Sequence, residues 1–151
     1  MAKKISAAAH DDLMALDRQA CFGLYAASNL VTRLYRPLLA DLGLTFPQYL
    51  VMLVLWESDP QTVSAIGGRL HLDSGTLTPL LKRLETGGLV VRRRDDADER
   101  RVLISLTDAG RALREPASRI PEILRREVSF SALETGALAE SLGHLISALE
   151  R

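Results

Sequence analysis

Between Ser74 and Leu106 the hydrophobic period changes once, and that change limits what the chain can fold into. In Ser74–Thr86, Leu77, Leu80, Leu81 and Leu84 stand at i, i+3, i+4 and i+7, the buried stripe of an α-helix. Gly87-Gly88 ends that pattern as a left-handed C-terminal turn requires. Beyond the glycines the period is two. Leu89–Arg94 and Val102–Leu106 read as strands, and the polar stretch Asp95–Arg101 joins them into a two-stranded hairpin with a charged tip.

Upstream, Thr62 caps a short helix carrying Val63, Ile66 and Leu70 on one side. A brief turn at His71-Leu72 leads to Asp73, the expected cap of the Ser74–Thr86 helix. Pro79 is awkward there: either the helix effectively begins near Thr76, or its first turn loses a hydrogen bond. Phe46–Glu57 is apolar almost all round, and periodicity cannot tell a buried strand from a buried helix. Its start decides for a helix, because Thr45 and Gln48 form a capping box and Pro47 sits in the first turn.

The ends of the chain are also helical in pattern. From about Asp12 to Ala40, apolar residues recur three or four apart, with Pro37 near the end where it can kink the helix. Thr107 caps a segment that Pro116 and Pro121 should bend or break. Ser131 with Glu134 forms a second capping box, and Leu138, Leu142, Leu145 and Leu149 then make a seam suited to a partner helix.

Two short helices, a tight turn and a hairpin follow in the order of a winged helix-turn-helix, whose second helix enters the DNA major groove. Opposite the leucine stripe lie Gly75, Pro79, Lys82 and Thr86, flanked by Ser74, Thr76, Thr78 and Arg83. Small hydroxyls sit toward the N-terminus, where base contacts are made, and cations further on, where phosphates would lie. The charge pattern alone is a weak footprint. Residues 62–106 hold eight cations (Arg69, Lys82, Arg83, Arg92, Arg93, Arg94, Arg100, Arg101) against six acids (Asp73, Glu85, Asp95, Asp96, Asp98, Glu99). The same residues also fit a solvated helix face and an exposed hairpin tip.

Asp98-Glu99-Arg100-Arg101-Val102-Leu103-Ile104-Ser105-Leu106-Thr107, after a glycine-ended helix and a basic strand, resembles the wing signature of the MarR family of dimeric bacterial repressors. The resemblance implies that Asp98 braces Arg100, which is offered to the minor groove, where negative potential is concentrated. Three further blocks are similar to the organic-hydroperoxide-sensing OhrR branch: Cys21-Phe22-Gly23-Leu24-Tyr25-Ala26, Leu44-Thr45-Phe46-Pro47-Gln48-Tyr49 and Leu72 to Arg83. That resemblance implies a homodimer on a pseudo-palindromic operator, mainly α with a small β-wing, dimerised through N- and C-terminal helices. The expected organisation is one chain, 1–151, with dimerisation helices at 10–44 and 107–151 and a winged helix-turn-helix DNA-binding region at 45–106.

The resemblance also implies a sensing cysteine, here Cys21, with Tyr25 and Tyr35 at two positions whose hydroxyls hydrogen-bond its sulfur. A peroxide reacts with thiolate, so the anion needs stabilising. Arg18 lies one turn before Cys21 and Tyr25 one turn after it. Tyr35 is fourteen residues from Cys21, roughly 21 Å along a straight helix, so it reaches that sulfur only across a dimer interface or if the helix folds back. The branch commonly has Tyr where this chain has Phe46. One missing hydrogen bond to an anion forfeits about 1.5–3 kcal/mol, or one to two pKa units. With no second cysteine, the sulfenic acid formed by peroxide would be captured by a low-molecular-weight thiol or over-oxidised.

Several classes are excluded or disfavoured. One cysteine excludes an internal disulfide and any zinc site needing two thiolates, and His10, His71 and His144 have no metal-ligand spacing; no metal or cofactor is expected. Aromatics are only 5%, which disfavours a base-stacking single-strand binder. Trp56 is expected in the core. The stretch Met1–Asp12 is too short for a signal peptide and no apolar run spans a membrane, so the expectation is cytoplasmic. Rival functions are a repressor released by a small phenolic or aromatic acid with Cys21 inert, a thiol peroxidase (disfavoured because no βαβ order is present), and a helical dimerisation adaptor without DNA binding.

Overall fold

The computed structural model describes residues 14–128 and 131–150. After a 3-10 turn at Leu16–Arg18, the elements are α1 (Ala20–Ala40), α2 (Phe46–Glu57), β1 (Gln61–Thr62), α3 (Val63–Leu70) and α4 (Ser74–Thr86). The hairpin β2 (Val90–Arg94) and β3 (Val102–Leu106) comes next, then α5 (Asp108–Ala112), α6 (Arg114–Ala117), α7 (Ile120–Glu127) and α8 (Ala132–Leu149). The chain forms two compact units, Met1–Arg114 and Glu115–Arg151.

The first helix is shorter than its apolar pattern. Ala15 and Gln19 are both extended, so the segment before Ala20 is a separate 3-10 turn. Three-and-four spacing continues across that break, which is why periodicity cannot see it; Asp12 and Leu13 lie outside the described residues. Pro37 does not end α1, which continues to Ala40 and stops where Gly43 takes φ +65°.

In α2 both halves of the Thr45–Gln48 capping box are present, and six residues of the helix are buried, including Tyr49, Val51, Met52 and Leu55. In α4, Asp73 Oδ1 accepts the Thr76 N–H at 2.8 Å, so the helix starts at Ser74. Pro79 lies inside it, leaving one carbonyl of the first turns without its usual donor. Leu77, Leu80, Leu81 and Leu84 are all buried, each burial contributing about 1.5–3 kcal/mol. At the other end Gly88, not Gly87, is the left-handed residue (φ +71°). The Leu89 N–H reaches back to Leu84 and the Gly88 N–H to Glu85, a Schellman closure.

The wing is a three-stranded antiparallel sheet in the order β1-β3-β2, which corrects the expected two-stranded hairpin. Gln61 pairs with Ile104 and Thr62 with Leu103, and a strand of two residues is too short to show any period. Where β1 runs out, the Asp59 carboxylate takes over, accepting the Leu106 N–H at 3.0 Å and pairing with Arg111. Arg111 in turn donates to the Leu106 carbonyl at 3.1 Å.

Gly110 lets α5 press against the start of the wing. A Cβ there would stand 2.1 Å from the Leu89 carbonyl oxygen. Thr107 locks the same corner: its hydroxyl donates to the Gly88 carbonyl, its N–H to Leu89, and its Oγ1 caps α5 at Gly110. The second unit carries α7 and α8, with the Ser131–Glu134 capping box formed as the sequence implied. The prolines break the 107–127 segment into three short helices.

Candidate nucleic-acid interface and cysteine site

The turn between α3 and α4 is tight. His71 adopts the left-handed conformation (φ 51°), and the Leu72 N–H bonds the Gly67 carbonyl at 2.9 Å. Gly67 is buried, and a Cβ on it would stand 2.9 Å from the Leu72 oxygen. This close approach aims α4 outward. With its leucines turned to the core, α4 presents Ser74, Thr76, Thr78, Pro79, Lys82 and Arg83 to solvent, all exposed. Hydrogen bonds from Thr76 hold the Asp73 carboxyl below the usual carboxylate range. Asp73 is therefore a charged cap at neutral pH, and its stabilising effect fades only as acid protonates it.

At the hairpin tip the expected brace is formed. Arg100 donates from Nε to Asp98 Oδ1 at 3.1 Å and from Nη2 to Oδ2 at 3.4 Å, and its backbone N–H also bonds Oδ1. The Arg100 side chain is 91% exposed while its partner is largely covered, so the guanidinium projects from a fixed base. The Arg100 side-chain bonds, then its backbone N–H, hold the Asp98 carboxyl below the usual range. Asp95 pairs with Arg101 in the same loop.

The residues expected around the cysteine are distributed along α1. Cys21 is exposed at its start within the single chain, whereas free cysteines are often buried small hydrophobes. Tyr25 is 66% exposed one turn later. Arg18 lies before the extended Gln19, outside the helix, and so does not share the Cys21 face as a continuous helix would have required. The helix is unbroken from Ala20 to Ala40, so Cys21 and Tyr35 stand roughly 21 Å apart and cannot meet within one chain.

Tyr35 belongs to an aromatic row that the sequence did not reveal. Its ring lies 4.5 Å from Phe46 and 5.8 Å from Tyr49, and Tyr49 lies 6.2 Å from Trp56. Trp56 completes the row by donating its indole N–H to the Gly110 carbonyl at 2.9 Å, the core role expected for it. Burial pushes the Tyr35 phenol up; Tyr49 rises by burial first and by its neighbour Tyr35 second. Both stay protonated at neutral pH and able to donate. Among the described residues neither the Tyr35 nor the Tyr25 hydroxyl has a hydrogen-bond partner. Phe46, where the branch commonly has Tyr, packs on Tyr35 as hydrocarbon.

Two functional supports escaped sequence reading: the Asp59–Arg111 pair and the Trp56–Gly110 bond. Each joins residues more than fifty positions apart, and no local spacing signals them. Among the described residues no group of three or more His, Cys, Asp or Glu side chains could hold a metal, and no helix is long and apolar enough to cross a membrane.

Residues 33–115 match the family described as transcriptional regulator SarA/Rot. This chain belongs to that MarR-like family of transcriptional regulators. It is 54% identical over 110 residues to the organic hydroperoxide resistance transcriptional regulator of Bacillus subtilis, covering 73% of this chain and 75% of that one. It is 49% identical over 141 residues to the HTH-type transcriptional regulator TtmR of Methylorubrum extorquens, covering 93% and 72%. Among solved structures, reduced AbfR bound to DNA superposes with a TM-score of 0.80 at 40% identity, covering 94% of this chain and 99% of that one. AbfR is also known overoxidised on DNA and in a disulfide-formed state, with TM-scores of 0.70 and 0.58. These relatives are winged-helix regulators, as the element order implied, and the resemblance to the hydroperoxide-regulating branch stands on the Bacillus protein.

Proposed function

We propose that this regulator is a cytoplasmic homodimer that represses transcription from operator DNA and releases it when an organic hydroperoxide oxidises Cys21. The observation that carries the reading is the unbroken helix α1. It holds an exposed thiol at one end and, near the other, a tyrosine whose hydroxyl has no hydrogen-bond partner among the described residues. Antiparallel packing of two α1 helices about a two-fold axis would bring each Cys21 to the partner subunit's Tyr35. Leu24, Leu30 and Val31 of α1 and Leu138, Ile146 and Leu149 of α8 are exposed, more apolar surface than a monomer gains from leaving in water. Residues 10–44 and 107–151 are accordingly read as dimerisation helices and 45–106 as the DNA-binding region.

On DNA, the N-terminal half of α4 offers Ser74, Thr76, Thr78 and Pro79 to base edges and Lys82 and Arg83 to phosphates, while Arg100, braced by Asp98, enters the minor groove. The redox step begins with the thiolate attacking the terminal peroxide oxygen. The O–O bond breaks, sulfur is oxidised to sulfenic acid, and the departing alkoxide takes a proton to leave as alcohol. A low-molecular-weight thiol then condenses with the sulfenic acid, forming a mixed disulfide and releasing water. Bulk added at the interface shifts the two winged units out of register with successive major grooves. AbfR, a structural relative known in reduced and oxidised states, supports such a redox reading.

The test uses a duplex selected from a random library by the reduced protein, with release followed by fluorescence anisotropy against added alkyl hydroperoxide. Wild type should release and gain the mass of the adduct, and Cys21→Ser should stay bound. Release of the serine variant by peroxide would end the redox reading, and release by an aromatic acid instead would support the ligand-regulated alternative.

A further inference from the structure

The cations of the winged segment fall into two groups. Arg69, Arg100 and Arg101 are paired with Glu57, Asp98 and Asp95. The side chains of Lys82, Arg83, Arg92, Arg93 and Arg94 have no ion pair or hydrogen bond among the described residues. Three of these five are consecutive and exposed on β2. Asp95 and Asp98 are engaged with Arg101 and Arg100, and neither Asp96 nor Glu85, which shares a shallow recess with all three, pairs with any of them. Unpaired guanidiniums side by side repel one another unless an anion comes to them.

Strand alternation puts Arg92 and Arg94 on the face of the buried Val90. Arg92 thereby reaches a groove of about 530 Å³ bounded by α3, the first turns of α4 and the wing. Its walls carry the hydroxyls of Ser64, Ser74 and Thr78 opposite Arg92 and Arg100. The groove therefore continues the exposed face of α4 without interruption, and it combines guanidinium forks with small hydroxyl donors. Guanidinium matches phosphate oxygens in a planar, bidentate way, and small hydroxyls add neutral donors to the same oxygens.

We propose that this groove seats the sugar–phosphate backbone of duplex DNA, with Arg92 as its principal phosphate ligand and Arg93 and Arg94 extending the track along β2. The inference rests on the DNA-binding reading above and enlarges it: the footprint includes β2 itself, beyond α4 and the Arg100 tip. These contacts position the protein and carry no base sequence. The β2 arginines should therefore control affinity and its salt dependence on any duplex, leaving the ranking of sequences intact.

The experiment measures affinity of the full-length reduced protein for a labelled random-sequence duplex across about 50 to 200 mM salt. Each phosphate contact contributes about 0.9 to the slope of log affinity against log salt, so Arg92→Gln should lower the slope by roughly 2 per dimer. Over that salt range wild type should then lose about tenfold more affinity than the variant. Arg92→Lys should restore the slope, Arg94→Gln should lower it, and Arg119→Gln should leave it unchanged. A wild type that binds with normal salt dependence while Arg92→Gln matches it would overturn the phosphate seat and leave the DNA reading standing. A wild type with no affinity for duplex, or with a preference for an acidic polypeptide competitor over DNA, would sink both.

Discussion

The winged segment 62–106 and the helix α1 treat their functional side chains in opposite ways. In the wing and α4, each exposed group is set by something nearby: Arg100 by Asp98 two residues away, Thr76 by the Asp73 cap, the outward face of α4 by its own leucine stripe. In α1 the groups proposed to sense peroxide, Cys21, Tyr25 and Tyr35, are spread along one helix, and among the described residues nothing hydrogen-bonds the Tyr25 or Tyr35 hydroxyl. A DNA-binding surface can be finished within one chain because its partner is an external anion. A thiolate site needs donors converging from several directions, which one helix face cannot supply. On the proposed reading, folding of one chain suffices for the first surface and association is needed for the second.

The largest effect should come from breaking the corner where α5 meets the base of the wing. Gly110→Ala drives a Cβ into the Leu89 carbonyl, and the clashing atoms are backbone, which cannot swing aside as a side chain would. Chemical denaturation should show a loss of about 2–4 kcal/mol, with duplex affinity falling as the wing base shifts. A variant as stable as wild type would mean that α5 is not wedged against the wing.

Tyr35→Phe sharpens the contrast from the other side. It should leave stability and duplex affinity near wild type while slowing the reaction of Cys21 with an alkyl hydroperoxide about tenfold or more, the equivalent of losing a hydrogen bond of about 1.5–3 kcal/mol to the reacting sulfur. Rapid-mixing kinetics of adduct formation reads this directly. The effect should vanish when dilution separates the subunits, and an unchanged rate would show that Tyr35 does not reach a partner's sulfur.

Thr107→Ala should cost about 1–2 kcal/mol, since it removes the α5 cap and the bond to the Gly88 carbonyl together. Thr107→Ser should recover most of it in the same denaturation measurement. The smallest effect is acid at the wing tip. The Asp98 carboxyl is depressed in the folded protein, so its brace is intact above the ordinary carboxylate pKa and is lost as pH falls through the lower folded value. The Arg100 Nε–H resonance should lose its Asp98-bonded shift only in that window, while signals from the core stay in place. Loss nearer neutrality would contradict the bidentate geometry.

Legibility followed distance along the chain. Thr45 with Gln48, Thr62, Asp73, Thr107 and Ser131 with Glu134 were readable as caps because a cap bonds an N–H two or three residues away. The Asp98–Arg100 brace spans two positions and was readable through the family resemblance. The start of α1 was misplaced because apolar spacing records which face is buried, not whether the backbone between is helical. The weak charge footprint of residues 62–106 was correct as a count but silent on pairing: it could not tell that Arg100 and Arg101 are matched by acids while Arg92, Arg93 and Arg94 have no ion pair among the described residues.

The sequence by itself determined the order of elements, their caps, the leucine face of α4 and the positions of Cys21, Tyr25 and Tyr35 along one helix. Those are short-range matters, fixed by backbone periodicity and by side chains bonding neighbouring N–H groups. Only the tertiary structure decided that β1 joins the sheet, that Asp59 and Arg111 close its edge, that Trp56 ties the aromatic row to Gly110, and which arginines stay unpaired. Each of these joins groups distant in the chain, or depends on which of several nearby partners a charge selects, and that is settled by packing in three dimensions.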